Sequence, residues 1–390
     1  MASLFGAKAI DEALKHGRAI LKYISRNDVG LTGSHQGGFY LPKAAWHLYT
    51  THPPAKGSNA KTDVEVIWQD DRTTQSCVTW YGAKTRSEYR LTRFGKDFAW
   101  LTVDNVGSLL VLIPATTTMF FAYVLDLEDD IEEIQAALGV EVIGTWAVHE
   151  AGAAAQPENE NQCVNRHFRK FTEDTKEFPS TGTFADEVRR VVSECVPNFS
   201  KSAADDRLLR WLAEEYDLFR MVERNLCQSE MLRLFKDVDD FLKTASSIMN
   251  RRKARAGRSL ERHFEYLLQE LRIPYSAQPR IDGNVQPDIL IPGKQAYEDP
   301  NYPVAKLMII GVKTTCKDRW RQVLSEAKRI PAKHILTIQP GISVSQLREM
   351  HECKVRLIVP RRLHKEYPTD SATVILGIEQ FLKSLAAVRF

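Results

Sequence analysis

The chain has 390 residues, enough for two or three domains. Its hydrophobic content of 43% supports an ordinary globular core, and a net charge of +3 excludes a bulk polycation. Any nucleic-acid surface must therefore be built from locally gathered basic residues. No apolar run approaches the ~18 residues of a membrane span, and the start, Met1-Ala2-Ser3-Leu4-Phe5, lacks the apolar core of a signal peptide. Six cysteines, at 77, 163, 195, 227, 316 and 353, show no CxxC and no Cys/His clustering along the chain. The expectation is neither structural zinc nor a disulfide framework, and a reducing cytosol.

Residues 7–16 are predicted as a short helix with Ile10 and Leu14 on one side, and 20–24 as a strand. A stretch rich in turn formers follows at 25–36, then Phe39-Tyr40-Leu41-Pro42. Strand-like runs recur at 64–68, 77–81, 89–91, 109–113 and 119–125. Short strands at this rate, divided by turns, predict a small mixed β barrel. Between two of them Lys84, Arg86, Glu88 and Arg90 alternate, which on extended backbone puts all four on one face. Such a face can read bases, since Arg pairs with guanine and Glu accepts from cytosine N4. A charged, solvated edge strand has the same pattern. The acids at 128–133 fit the first turn of a helix, where the macrodipole favours them.

Composition then shifts to Ala, Gly, Pro, Glu, Asn and Gln over 150–165, which reads as a linker ending near 178–183. Helices are predicted at 185–195, 204–219, 231–249 and 259–271; in the last, Leu260, Phe264, Leu267, Leu268 and Leu271 form one stripe. Five basic residues fall within 250–258, suited to phosphate contacts or to a solvated turn. Pro287-Asp288 precedes the apolar run 289–291, and a second apolar run, 307–312, ends at Lys313. Beyond it Trp320, Val323, Leu324 and Ala327 recur at helical spacing, with Arg319, Gln322 and Glu326 expected on a face turned from the core. Further strands at 334–338 and 355–359 alternate with helices at 343–351 and 378–387. The succession fits an α/β core with a mixed sheet between helices.

Two strand ends presenting Asp288 and Lys313, with Glu326 close behind, can make a metal-dependent phosphodiester-cleaving site. Carboxylates suit Mg²⁺, and a lysine beside them can position or help deprotonate water and offset charge on phosphorus. Solvated acids and lysines at strand ends give the same sequence pattern.

The run Val312-Lys313-Thr314-Thr315-Cys316-Lys317-Asp318-Arg319-Trp320-Arg321-Gln322, with Glu326 after it, resembles the catalytic segment of the EcoRII-like type II (type IIE) restriction endonucleases. The likeness extends to 250–257, 355–360 and 363–368, and more weakly through the N-terminal half. It implies an α/β C-terminal restriction-endonuclease-like core of the PD-(D/E)XK kind, with a mixed sheet flanked by helices, and an N-terminal β-rich DNA-binding pseudobarrel. The corresponding domains are 1–150 (effector DNA-binding), 151–180 (linker) and 181–390 (catalytic).

The resemblance places Asp288, Lys313 and Glu326 in the catalytic centre, with Asp288 and Glu326 holding Mg²⁺. Glu326 would replace in space the acid that the usual motif keeps at the position of Gly311. Glu261 matches a supporting glutamate on the first helix, and Tyr297 a tyrosine near the site. Lys317, Asp318 and Arg319 match the family's base-reading triplet, suited to a CC:GG half-site. Tyr216 matches the aromatic residue that stacks on an extruded base, while the arginine of that pair is here Leu212. In the N-terminal module the resemblance carries over His35, Tyr40, Lys84, Arg86, Glu88 and Arg90; Tyr89 stands where the family has a lysine. The implied protein is a homodimer acting on double-stranded DNA in a prokaryotic cytoplasm, at a CCWGG- or CCNGG-like site. Binding of a second site copy at the N-terminal module would stimulate it, and a cognate DNA methyltransferase would accompany it. Two other readings remain at this stage: a sequence-specific DNA-binding protein with an inactive nuclease fold, and a structure-specific repair nuclease.

Overall fold

The computed structural model describes residues 2–31, 37–83, 85–152, 162–368 and 375–388. The chain divides into two compact units: 1–152 with 339–349 and 363–370, and 153–338 with 350–362 and 371–390.

In the first unit, helix α1 (Leu4–His16) starts where the Ser3 side chain accepts from the Gly6 amide, and stops at Gly17, whose φ of 65° suits glycine. The strands are β1 (Arg18–Tyr23), β2 (Phe39–Leu41), β3 (Asn59–Trp68), β4 (Thr73–Tyr81), β5 (Glu88–Thr92), β6 (Leu109–Pro114), β7 (Met119–Leu125) and, after helix α2 (Glu128–Leu138), β8 (Trp146–Glu150). They form one sheet in the order β2-β5-β4-β3-β7-β6-β1-β8. Every neighbouring pair is antiparallel except β3 and β7, which run parallel. One core cluster draws on β1 to β7 at once, including Ile20, Phe39, Val66, Trp80, Leu91, Leu112 and Phe120, which requires the sheet to curl around it. Alternate residues, such as Leu21, Val111 and Tyr123, face the other way and pack with Ala9, Ala13, Ile131 and Ile134.

The buried side of α1 is thus Ala9 and Ala13, and Leu14 is left 55% exposed. Small side chains let the helix approach α2 and the sheet closely; of the predicted Ile10/Leu14 stripe, Ile10 packs half-buried against this cluster and Leu14 does not. On α2, the acids are not an open cluster: Asp130 is buried and accepts from the Ser3 amide and hydroxyl, each at 2.6 Å.

The second unit opens with helices α3 (Gln162–Asp174), α4 (Thr181–Cys195), α5 (Ala204–Leu232) and α6 (Val238–Glu270). Phe184, Val188 and Val192 of α4, Leu208, Trp211 and Leu218 of α5, and Leu260, Phe264 and Leu268 of α6 are buried where these helices pack together. Strands β9 (Ser276–Ala277), β10 (Ile289–Ile291), β11 (Met308–Lys313), β12 (Lys333–Thr337), β13 (Val355–Ile358) and β14 (Ile375–Leu376) follow, with α7 (Lys294–Glu298) after β10 and α9 (Ile378–Ala386) at the end; α8 (Val344–Glu352), between β12 and β13 in the chain, belongs for its first six residues to the first unit. The sheet order is β14-β13-β12-β11-β10-β9. Strands β9 to β11 pair antiparallel and β11 to β14 parallel, so the sheet is mixed and β11 is interior. Interior position explains the unbroken apolar run of β11. Asp205, at the start of α5, accepts from the amides of Arg361 (2.8 Å), Ile378 (2.9 Å) and Glu379 (2.8 Å). The mixed α/β core and the β-rich N-terminal module are those the resemblance implied.

Three local readings change. Within the stretch read as linker, 162–174 is helical, because Val164 and Phe168 give it a buried face. The basic run 250–258 lies inside α6, whose 33 residues are continuous from an Asp237 cap, and not at a turn. Cys163 and Cys195 form a disulfide, against the expectation of none. They are 32 positions apart and on different helices, so only the packing of α3 on α4 brings their Cα atoms to 5.6 Å.

Candidate active site and nucleic-acid interface

The antiparallel register pairs Ile289 with Ile310 and Ile291 with Met308, which sets Asp288 beside the end of β11. Its Oδ2 accepts from the Val312 amide at 2.7 Å and from the Lys313 amine at 3.1 Å. Helix α6 packs on β11 and supplies Glu261, whose Oε2 accepts from the Gln278 side chain at 3.0 Å.

The segment after β11 is a 3₁₀ helix, Arg319–Ser325, and not the expected α-helix. With three residues per turn, positions 320, 323 and 326 align. Trp320 and Val323 are accordingly buried, Leu324 is 37% exposed, and Glu326 is half-buried instead of turned from the core. A Cβ at Gly311 would lie 3.5 Å from Val323, so the 3₁₀ segment occupies the space over that position.

The charges interact. Glu326 is pushed up to about 7 by burial and then by the Asp288 carboxylate, with Lys313 and Lys333 opposing. Glu261 is also pushed up to about 7, by burial and then Asp288, against Arg258 and Lys313. Burial alone would lower the Lys313 amine, but Asp288, Glu326 and Glu261 together raise it. Three carboxyls and one amine therefore share one electrostatic neighbourhood. Its three carboxyls offer hard oxygen ligands, the set that suits a divalent cation of the Mg²⁺ class.

Tyr297 lies in a neighbouring group. It is 3% exposed; its hydroxyl donates to Asp282 at 2.7 Å and accepts from the Arg329 amide at 3.3 Å. Burial, then the bond to Asp282, pushes that hydroxyl up to about 12. Lys317, Asp318 and Arg319 follow the lysine strand directly; Lys317 is buried and the other two are half-buried at the head of the 3₁₀ segment. On α5, Leu212 is in the core and Tyr216 is half-buried, with the Arg255 guanidinium 5.6 Å from its ring centre. Arg255 also pairs with buried Glu215, Arg252 with Glu223 at 2.8 Å, and Arg251 covers the Phe178 ring at 3.8 Å. Part of the basic run thus serves the helix bundle. The sequence offered no sign of this, because a basic run looks the same whether its partners are phosphates or buried acids.

In the N-terminal module, His35 and Lys84 lie outside the described residues. Strand β5 begins at Glu88, so Arg86 precedes it, and Glu88 and Arg90 are the described residues of that alternation that share a strand face. Within it, Arg90 donates to Glu88 at 3.0 Å and sits 5.8 Å from the ring of Tyr40, its cross-strand partner on β2. Burial and then Glu88 raise the Tyr40 hydroxyl. Arg86 is exposed, 5.5 Å from the Tyr81 ring. Tyr89 is fully buried and donates to the His52 carbonyl at 2.6 Å, which accounts for an aromatic residue where the family has lysine.

Among solved structures, the chain is similar to metal-depleted Ecl18kI in complex with uncleaved, modified DNA (19% identity, TM-score 0.45, covering 60% of this chain and 84% of that one). It is also similar to the restriction endonuclease PspGI in its substrate DNA complex (15% identity, TM-score 0.44, 53% and 92%). Family models match twice: restriction endonuclease EcoRII, N-terminal, over residues 14–148, and EcoRII C terminal over 219–382. Type II restriction enzyme EcoRII of Escherichia coli is 32% identical over 99% of this chain and 98% of its own length. The chain belongs to the EcoRII family of type II restriction enzymes and is a site-specific deoxyribonuclease.

Proposed function

We propose that the protein hydrolyses phosphodiester bonds of double-stranded DNA, with Mg²⁺, at a short CC/GG site of the CCWGG or CCNGG kind. The observation that supports this reading is the Asp288–Lys313 ion pair at the end of β11, with the Glu326 and Glu261 carboxyls close enough to act on its charges. Asp288 and Glu326 would hold Mg²⁺, with Glu261 in support; burial first, and the Asp288 charge second, push the Glu326 and Glu261 carboxyls up to about 7, and a bound cation would offset both. When bound, the ion supplies Lewis-acid polarisation of the scissile phosphate and activation of water. Lys313, paired with Asp288, acts as a donor and a positive charge. It orients the attacking water and offsets the charge that builds on the phosphate oxygens.

Sequence reading falls to Lys317, Asp318 and Arg319. Asp318 can accept from cytosine N4, and the two cations can donate to guanine O6 and N7. They follow Lys313 by four to six residues, so reading and cutting share one strand and turn. Tyr216 would be the aromatic residue nearest a central base, but core Leu212 stands where the family has its stacking arginine, and Arg255 is held by buried Glu215, so extrusion of that base is not part of this reading. In the N-terminal module, Tyr40, Arg86, Glu88 and Arg90, with His35 and Lys84, would bind a second copy of the site and stimulate cleavage. The enzyme would act as a homodimer in a prokaryotic cytoplasm beside a cognate methyltransferase. Among the described residues no helix is long and apolar enough to cross a membrane.

The test is incubation of the protein and its Asp288→Ala variant with plasmid and Mg²⁺, followed by sequencing of the ends. Uniform ends at a CC/GG site, lost in the variant, are expected. Ends without a common sequence, or cutting that survives in the variant, would overturn the reading.

A further inference from the structure

Glu326 is the acid of the site with the least regular backbone beneath it. Asp288 borders β10 and Glu261 is within α6, but Glu326 stands where the 3₁₀ helix ends. The next residue, Ala327, has a φ of 46°, a left-handed conformation that a non-glycine residue keeps only when its surroundings impose it. A cation ligand on such a turn keeps its place only if other groups hold the turn.

Two groups do so from different elements. Lys333, the first residue of β12 and 4% exposed, sends its amine to the Glu326 carbonyl and, at 2.9 Å, to the Ala327 carbonyl. Asp282, from the loop before β10, accepts at one oxygen from the Lys328 amide (3.0 Å) and from the Tyr297 hydroxyl (2.7 Å). That hydroxyl in turn accepts from the Arg329 amide at 3.3 Å. The Arg329 side chain donates to the carbonyls of Tyr297, Asp299 (2.9 Å) and Tyr302 (3.1 Å). From 326 to 329 every residue is bound through its main chain. A buried ammonium directed at two carbonyls is costly to desolvate, so the turn is tied to β12 by a strong, charge-assisted contact.

We propose that Lys333 and Asp282 are positioning residues for Glu326: a cation and an anion that grip the 326–329 turn from two sides and so set how tightly the site takes a divalent cation. The proposal rests on Glu326 being a ligand. Neither side chain needs to touch the ion or the DNA. Their effect passes through the backbone of the turn to the Glu326 carboxylate, and is read as metal affinity.

The test uses the full chain with Mn²⁺ as the probe, its binding followed by electron paramagnetic resonance. Asp282→Asn and Lys333→Met are compared with wild type and with Glu326→Gln, each checked for an intact melting transition. Removal of outer partners of metal ligands weakens binding by about 10- to 100-fold. The expected result is a rise of about tenfold in the Mn²⁺ half-saturation point for both variants. Plasmid cleavage should recover toward the wild-type maximum at high Mg²⁺, whereas Glu326→Gln does not recover. Adding Asp282→Asn to Glu326→Gln should change Mn²⁺ binding no further, since both act through one carboxylate.

Wild-type Mn²⁺ binding in Asp282→Asn, with binding lost in Glu326→Gln, would overturn the positioning role and leave the site reading intact. Wild-type binding and cleavage in Glu326→Gln would overturn the site reading itself. If Lys333→Met does not fold, the exposed Asp282 decides alone, since its replacement removes no buried charge.

Discussion

Asp288 Oδ2 stands 3.1 Å from the Lys313 amine, an ion pair held across the β10–β11 edge. The same oxygen also accepts from the Val312 amide, so Asp288 stays anchored when the lysine is removed. Lys313→Met should therefore fold normally and bind DNA, yet cut it roughly 10² to 10³ times more slowly, the cost of losing one charge-stabilising donor. Single-turnover cleavage beside a binding assay without metal checks this; a parallel loss of binding and cleavage would refute it.

Arg86 and Arg90 should differ although both are basic residues of one segment. Arg86 is exposed, so Arg86→Ala should weaken DNA binding by the N-terminal module, lower the slope of log affinity against log salt by about 1, and leave melting unchanged. Arg90 is 4% exposed and paired with Glu88 beside Tyr40. Arg90→Ala should lower the melting temperature by several degrees as well, because a partly buried carboxylate loses its partner. Salt-dependent binding and thermal melts on both variants separate the two.

His334 on β12 gives a pH dependence of stability. Burial first, and Arg356 second, lower its pKa from 6.5 to about 4. Between those values the unfolded chain takes up a proton that the folded chain refuses, so stability falls as pH drops from about 6.5 to 4. The loss from this group is about 3 kcal/mol. His334→Leu should shrink the fall in urea midpoint between pH 7 and pH 4.5; an unchanged fall would contradict the assignment.

The Cys163–Cys195 bridge closes a loop of 32 residues. Chain-entropy arguments give such a crosslink about 3 to 4 kcal/mol. Cys195→Ser should lower the melting temperature under oxidising conditions and make no difference in excess dithiothreitol. A difference that persists in reductant would assign the effect to packing.

Much of the core site was readable because strands and strand ends leave local signatures. The apolar run of β11 ends at Lys313, and Pro287-Asp288 heads β10, whatever surrounds them. The placement of Glu326 was not readable from periodicity, which turned it from the core; only the family resemblance set it near the position of Gly311. Trp320 and Val323 are three apart, a spacing that fits both an α-helix and a 3₁₀ helix, and only packing decides between them. Asp282 and Lys333 were silent for another reason: they grip main-chain atoms, and a residue that holds backbone imposes no pattern on its partner. The same holds for Arg252 and Arg255, whose buried acids sit a helix away, and for Ala9 and Ala13, chosen by close approach over hydrophobicity.

Asp205 carries a consequence for where this polypeptide can be cut short. One carboxylate near the middle of the chain gathers the amides of Arg361, Ile378 and Glu379. A stop codon placed just before α9 would strip two of those donors and leave a 3%-exposed anion stranded at the head of α5. Deletions from the carboxyl end should therefore give insoluble protein before they reach any residue of the candidate site.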